Sequence, residues 1–186
     1  MCQHHRTLVL NADHTPLDII PWESGILQVL RESAHMICQH ENDPIQTARG
    51  AIPRPSIILT RAWTNTYRPA SLTRENLITS YARVNSHTRK PYWICALCGE
   101  QLKRQDITED HVIPRCQGGT TSWENIVLSH PGCNNRKGSR SLRESGFSLH
   151  EVIKTPSLNY IIRKAVLINA FSGTPPDEWL SYILEN

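Results

Sequence analysis

Apolar residues recur with two different periods along the chain. In TLVLNADHTPLDII, residues 7 to 20, Leu8 and Leu10 precede a polar turn, and Leu17 and Ile19 follow it. This alternation predicts two short strands joined by a turn over residues 11 to 16. WESGILQVLRES, residues 22 to 33, places Ile26, Leu27 and Leu30 at helical spacing, with Gly25 as its weak point. His35 to Gln39 reads as a strand, the Pro-containing residues 41 to 56 as a loop, and SIILT (56 to 60) as a buried strand. Thr73 opens a helix, TRENLITSYARV, with Leu77, Ile78 and Tyr81 on one side.

Further on, ITEDHVI and IVLS read as two more strands. The loop between them carries Gly118 and Gly119, and a helix is expected to start near Asn134. After Gly146 the pattern is helical. LHEVI is short, SLNYIIRKAVLINAF has a wide apolar face, and PDEWLSYILEN starts on a proline and two acids. The fold class expected is α+β. Three segments are expected: strands and helix over 1 to 72, a central domain over 73 to 146 with its core at 93 to 138, and helices over 147 to 186.

Composition narrows the class without fixing it. The 186 residues are 39% hydrophobic and 20% charged, which is ordinary for a globular chain with a modest core. Twenty basic against 17 acidic residues give a net charge of +3, compatible with nucleic acid but not diagnostic. The start MCQHHRTLVL has neither an apolar core nor a small-residue cleavage site, so no signal peptide is expected. No apolar run is long enough for a membrane span. Six cysteines are therefore read as thiols in a reducing cytoplasm rather than as disulfides.

The informative stretch is WICALCGEQLKRQDITEDHVIPRCQGGTTSWENIVLSHPGCNNRKG, residues 93 to 138. Cys95 and Cys98 form a C-x-x-C, and His130 and Cys133 an H-x-x-C. Two ligand pairs of this kind predict a closed, four-coordinate structural zinc site, which leaves no open position for chemistry. Cys116 is the rival fourth ligand. His4, His5, His14 and His40 show no such spacing and read as polar surface. Interleaved with the thiols are harder groups, Asp110, His111, Asn125 and Asn134, where a divalent cation and a general base could meet a phosphate.

The pieces C-A-L-C-G, E-D-H-V-I-P-R, G-G-x-x-S-W-E-N-I-V and C-N-N-R-K-G, in this order, resemble the HNH endonuclease family. VLNADHTPLDIIPW resembles the amino-terminal part of phage and bacterial members. The resemblance implies a β-β-α core built round a metal, stapled by zinc and flanked by an N-terminal α/β segment and C-terminal helices. It also implies hydrolysis of nucleic-acid phosphodiesters in a bacterial or phage-infected cell, with a 5′ phosphate left on the product. By this resemblance His111 is the general base. Asp110 and Asn134 hold the catalytic Mg2+ or Mn2+, with Asn135 as the rival to Asn134. Asn125 orders the loop and orients His111. In the family the second zinc pair is usually another C-x-x-C, so His130 is a departure.

Arg115, Arg136, Lys137 and Arg140 are candidate phosphate contacts, the last three through a helix start. Residues 49 to 90 hold eight Lys or Arg and one acid, with Trp63, Tyr67 and Tyr81 among them. This suits backbone contacts and stacking on nucleic acid, or equally a solvated face. The expected partner is DNA, double-stranded; no membrane is involved, and a homodimer or protein partner is compatible with the tail. Two other readings stay open. One is a zinc-containing nucleic-acid-binding module without catalysis. The other is a nuclease subunit or toxin that needs a partner.

Overall fold

The computed structural model describes residues 6–41, 43–151, 154–170 and 175–184. The chain divides into two compact units, Met1–Thr66 with Ile162–Asn186, and Tyr67–Ile161. The class is mixed α+β.

The first unit is built on strands β1 (Arg6–Leu10), β2 (Pro16–Pro21), β3 (Ala34–Gln39) and β6 (Pro55–Thr60), in the order β2-β1-β6-β3. β1 runs parallel to β6 and antiparallel to β2. Because side chains alternate across a strand, β1 feeds both faces. Leu8 and Leu10 join Ile57, Val166, Ala170, Trp179 and Ile183 on one side, and Val9 joins Ala34 and Ile58 on the other. Burial on both faces explains why β1 reads as a continuous apolar run.

Helix α1 (Trp22–Leu30) buries Gly25 and Ile26. Gly25 is there for contact: a Cβ would meet Thr7 Oγ1 at 2.8 Å. The helix is therefore rotated from the expected face, leaving Leu27 and Leu30 at 48% and 65% exposure. The expected loop over residues 41 to 56 instead contains a small hairpin, β4 (Ile45–Thr47) and β5 (Gly50–Ile52), whose alternation is too short to stand out. The later helices of the chain, α5 (Leu158–Ala170) from Ile162 onward and α6 (Asp177–Leu184), supply the apolar residues that cover the Leu8 face. The Trp179 indole N–H is satisfied within that core by Ser56 O at 3.1 Å.

The second unit opens with α2 (Arg74–Tyr81), capped by the Thr73 side chain, which accepts from Asn76 N. Leu77, Ile78 and Tyr81 are buried. The chain beyond Tyr81 was expected to continue the helix; it turns into β7 (Arg83–Val84), which pairs with β8 (Pro91–Ile94). β8 pairs in turn with β9 (Gln101–Leu102) across the first cysteine knuckle. The strands β10 (Thr108–His111) and β11 (Ile126–Ser129) form an antiparallel hairpin. Helix α3 (Pro131–Lys137) packs on β10. It starts three residues earlier than expected, because Pro131 fits the first helical position and needs no amide partner there. A short helix α4 (Leu142–Ser145), closed by a Ser141–Glu144 capping box, was not foreseen. The helix expected at LHEVI does not form over Leu149–Glu151, and its last two residues lie outside those described. No described helix is long and apolar enough to cross a membrane.

Candidate active site and zinc cluster

Helix α3 takes part in two polar clusters within the second unit, one completed by the β8–β9 turn and the other by the hairpin β10–β11. The first is the thiol cluster. Cys95 and Cys98 sit on the β8–β9 turn, where Gly99 N donates to Cys95 O at 2.9 Å and Gly99 takes φ +76°, a conformation that favours glycine. Ala96 N donates to Leu128 O at 2.9 Å and ties this turn to β11. His130 caps α3 and Cys133 lies in its first turn.

The ligand atoms of Cys95, Cys98, His130 and Cys133 all fall within 4.8 Å of one another. Cys98 Sγ and His130 Nδ1 are 3.5 Å apart. A tetrahedron with Zn–S ~2.3 Å and Zn–N ~2.0 Å has such an edge at about 3.5 Å. These four residues could hold a zinc ion. Cys116, the rival, is exposed on a separate turn, with Sγ 3.9 Å from Ser139 O.

The electrostatics also favour a cation. Burial pushes the Cys95 thiol up, but the backbone N–H groups of His130, Cys98 and Leu97 outweigh it and bring the pKa to about 7. Burial, the Cys98 side chain and the nearby thiolate charges push Cys133 up to about 12. Adjacent sulfurs cannot all ionise without a positive ion between them.

The second cluster begins on β10. Asp110, only 6% exposed, pairs across the hairpin with Val127, and His111 pairs with Ile126. Burial pushes the Asp110 carboxyl up, while the Lys137 ammonium opposes that shift. Lys137 Nζ donates to Asp110 Oδ1 at 3.1 Å and to His111 O at 2.6 Å. Asp110 Oδ2 is also buried but has no hydrogen-bond partner. A buried, unsatisfied carboxylate oxygen is a fitting ligand for a hard divalent cation.

His111 Nε2 lies 3.1 Å from Thr121 Oγ1. Asn134, on α3, donates from Nδ2 to Glu109 O at 3.2 Å and so faces β10, whereas Asn135 is exposed. Asn125 closes the loop between the strands. Its Oδ1 accepts from Ile113 N at 2.8 Å, and Nδ2 donates to Ile113 O and Thr120 O at 3.1 and 2.7 Å. The loop is so tight there that a Cβ on Gly119 would stand 1.8 Å from Ile113 O.

The basic residues are placed differently from the expectation. Lys137, read as a phosphate contact, is 1% exposed and bound to Asp110. Arg136 and Lys137 occupy the last turn of α3, not its start, where their charge complements the carbonyl end of the helix. The Arg136 guanidinium stacks 4.1 Å above the Phe147 ring. Arg140 donates to the Arg136 and Lys137 carbonyls and is exposed, as is Arg115. In the basic stretch, Arg54 pairs with Asp43, Arg74 with Glu109 and Arg83 with Glu151. Tyr81 is core, while Trp63 and Tyr67 are exposed.

Sequence reasoning missed the role of Lys137. A signal was present: Lys137 lies three and four positions after Asn134 and Cys133, on the same side of a helix. Thr121 had no such signal, because its contact depends on how the loop closes.

Residues 95–140 match the HNH endonuclease family, and residues 7–66 match the HNH endonuclease-associated N-terminal domain. No curated protein and no solved structure matches the chain. The two matches fall on the cysteine turn, hairpin and helix that together carry both polar clusters, and on the N-terminal sheet. Together with that geometry they place the chain in the HNH endonuclease family, with a function of the nuclease type.

Proposed function

We propose that this protein is a metal-dependent endonuclease that hydrolyses DNA phosphodiester bonds, with His111 as general base. The observation that carries the reading is the unsatisfied, buried Asp110 Oδ2 on the strand that also carries His111, with Asn134 of α3 hydrogen-bonded to the same strand at Glu109 O. Asp110 Oδ2 and Asn134 Oδ1 would hold Mg2+ or Mn2+. Such an ion supplies positive charge for the phosphate and the departing 3′ oxygen.

The chain's own residues do the rest. In the tautomer in which Nε2–H donates to Thr121 Oγ1, Nδ1 of His111 is the basic nitrogen. His111 takes a proton from water, and the water oxygen bonds to phosphorus as the P–O3′ bond breaks. The 3′ oxygen gains a proton from solvent, and the phosphate stays on the 5′ end. Asn125 fixes the loop that carries Thr120 and Thr121. Arg115, Arg136 and Arg140, being exposed, would meet flanking phosphates; buried Lys137 would not. The zinc held by Cys95, Cys98, His130 and Cys133 fixes α3 against the first knuckle and takes no part in the reaction.

The test is plasmid cleavage by the zinc-loaded chain with Mg2+, Mn2+ or neither, with the product ends sequenced. Cutting that needs the added ion and leaves 5′ phosphates is expected. The Asp110→Ala and Asn134→Ala variants should need more ion to reach half their maximal rate. DNA binding without cutting under every condition would instead favour the non-catalytic binding module.

A further inference from the structure

We propose that Lys137 is a positioning residue of the cutting site: its buried ammonium holds one carboxylate oxygen of Asp110 and so presents the other, Oδ2, as the single Asp110 ligand atom for a divalent cation. The inference rests on the nuclease reading above, but it assigns a role to a residue that reading does not use.

Lysine is among the residues least often fully buried. Here the side-chain exposures of Lys137 and Asp110 are 1% and 7%. Burying two charges is costly, and a pair kept only for stability is expected to satisfy every polar atom it hides. This pair does not. Nζ has two good acceptors, Asp110 Oδ1 and His111 O, yet Oδ2 is buried with none. The ammonium therefore fixes the carboxylate plane and leaves one oxygen in need of a positive partner. The same ammonium holds the backbone carbonyl of His111, so one side chain sets both the proposed ligand and the proposed base. Lys137 can do this because α3 is held at its other end, where His130 and Cys133 join the thiol cluster.

The proposal opposes simple electrostatics, and this makes it testable. An ammonium 3.1 Å from Oδ1 repels an incoming cation, so charge alone predicts tighter metal binding without it. Positioning predicts weaker binding, since residues that orient metal ligands typically contribute about 10–100-fold in affinity. Mn2+ binding is measured by electron paramagnetic resonance on the zinc-loaded full chain. Zinc content and thermal unfolding are recorded for each variant.

Lys137→Met should bind Mn2+ about 10–100-fold more weakly while keeping its zinc. In an Asp110→Asn background, Lys137→Met should cause no further loss, because it acts through Asp110. Unchanged or tighter Mn2+ binding in zinc-loaded Lys137→Met overturns the proposal and leaves the nuclease reading intact. Wild-type protein that binds no Mn2+, or Asp110→Asn that binds it as well as wild type, overturns both. Should the variants fail to fold, Mn2+ located by anomalous scattering in wild-type crystals decides the matter. The ion is expected on Oδ2 with Nζ still on Oδ1. An ion on Oδ1 with Lys137 displaced rules the proposal out.

Discussion

The thiol cluster and the Asp110 cluster share helix α3 but are held together in opposite ways. In the thiol cluster the ligands come in short pairs, three residues apart within each pair, and the fold has only to bring two pairs together. The sulfurs resist joint ionisation, so an ion is needed to hold them. In the Asp110 cluster the partners are 27 residues apart, and protein groups already make most of the contacts. Lys137 takes one carboxylate oxygen, Asn125 takes three backbone groups, and one acceptor is left over. The first cluster, on the zinc reading, needs a metal to hold it together. The second is folded by packing and is left one contact short. Stability and catalysis should therefore fail separately when each cluster is damaged.

The largest effect is expected at the thiols. Structural zinc contributes on the order of 10 kcal/mol of apparent binding energy to small domains, comparable to a typical domain's whole net stability. Zinc removal, or His130→Ala, should cause early melting of the second unit, read as loss of zinc per chain and a lower midpoint in thermal unfolding. The pH dependence has a definite sign. Without metal, Cys133 stays protonated until about pH 12, so zinc uptake must release its proton. Apparent zinc affinity should then rise from about pH 6 to about pH 8, measured by competition with a chelator. Zinc-free protein with native melting would remove the contrast between the clusters.

Next in size is the base. His111→Ala should cut at least about a hundredfold more slowly, because positioned acid–base groups contribute about 10²–10⁴. Zinc content, melting and DNA affinity should stay near wild type, since a base acts mainly in the transition state. Native-rate cutting by His111→Ala would remove the catalytic half of the comparison.

The thiol pairs were legible in the sequence because zinc imposes local spacing. The apolar pattern likewise gave β1, β2, β6 and α5, whose contacts repeat along the element. Hidden from it was whatever depends on distant closure: the burial of Lys137, the Thr121 contact to His111 and the rotation of α1 that exposes Leu27 and Leu30. Charge patterning assigned Lys137 to the surface because lysine usually lies there. It is buried because a carboxylate and a carbonyl, 27 and 26 residues earlier in sequence, converge on it.

A smaller effect is expected from the loop. Asn125→Ala removes three hydrogen bonds and leaves Ile113 N–H and two carbonyls to find water. A buried polar group left without its partner costs ~1–3 kcal/mol, which should appear as a modest drop in melting temperature with full zinc. Cutting should fall further than stability does, because the same loop carries Thr121 against His111. Equal melting in Asn125→Ala and wild type would show that these contacts contribute little.

The smallest effect sharpens the comparison most. Cys116→Ser should change neither zinc content nor melting, because Cys116 is exposed and lies outside the group whose ligand atoms converge. His130→Cys should also keep one zinc per chain, since thiolate is an equally good ligand at that distance from the ion. The two variants test opposite sides of one claim: position, not ligand type, admits a residue to this site. His130 follows β11 directly and caps α3, with its backbone N–H 3.5 Å from Cys95 Sγ, so whatever side chain stands there begins beside the first pair. Cys116 has the right chemistry in the wrong place. Depletion of zinc in Cys116→Ser together with full zinc in His130→Ala would mean that the loop, and not the helix cap, closes the cluster.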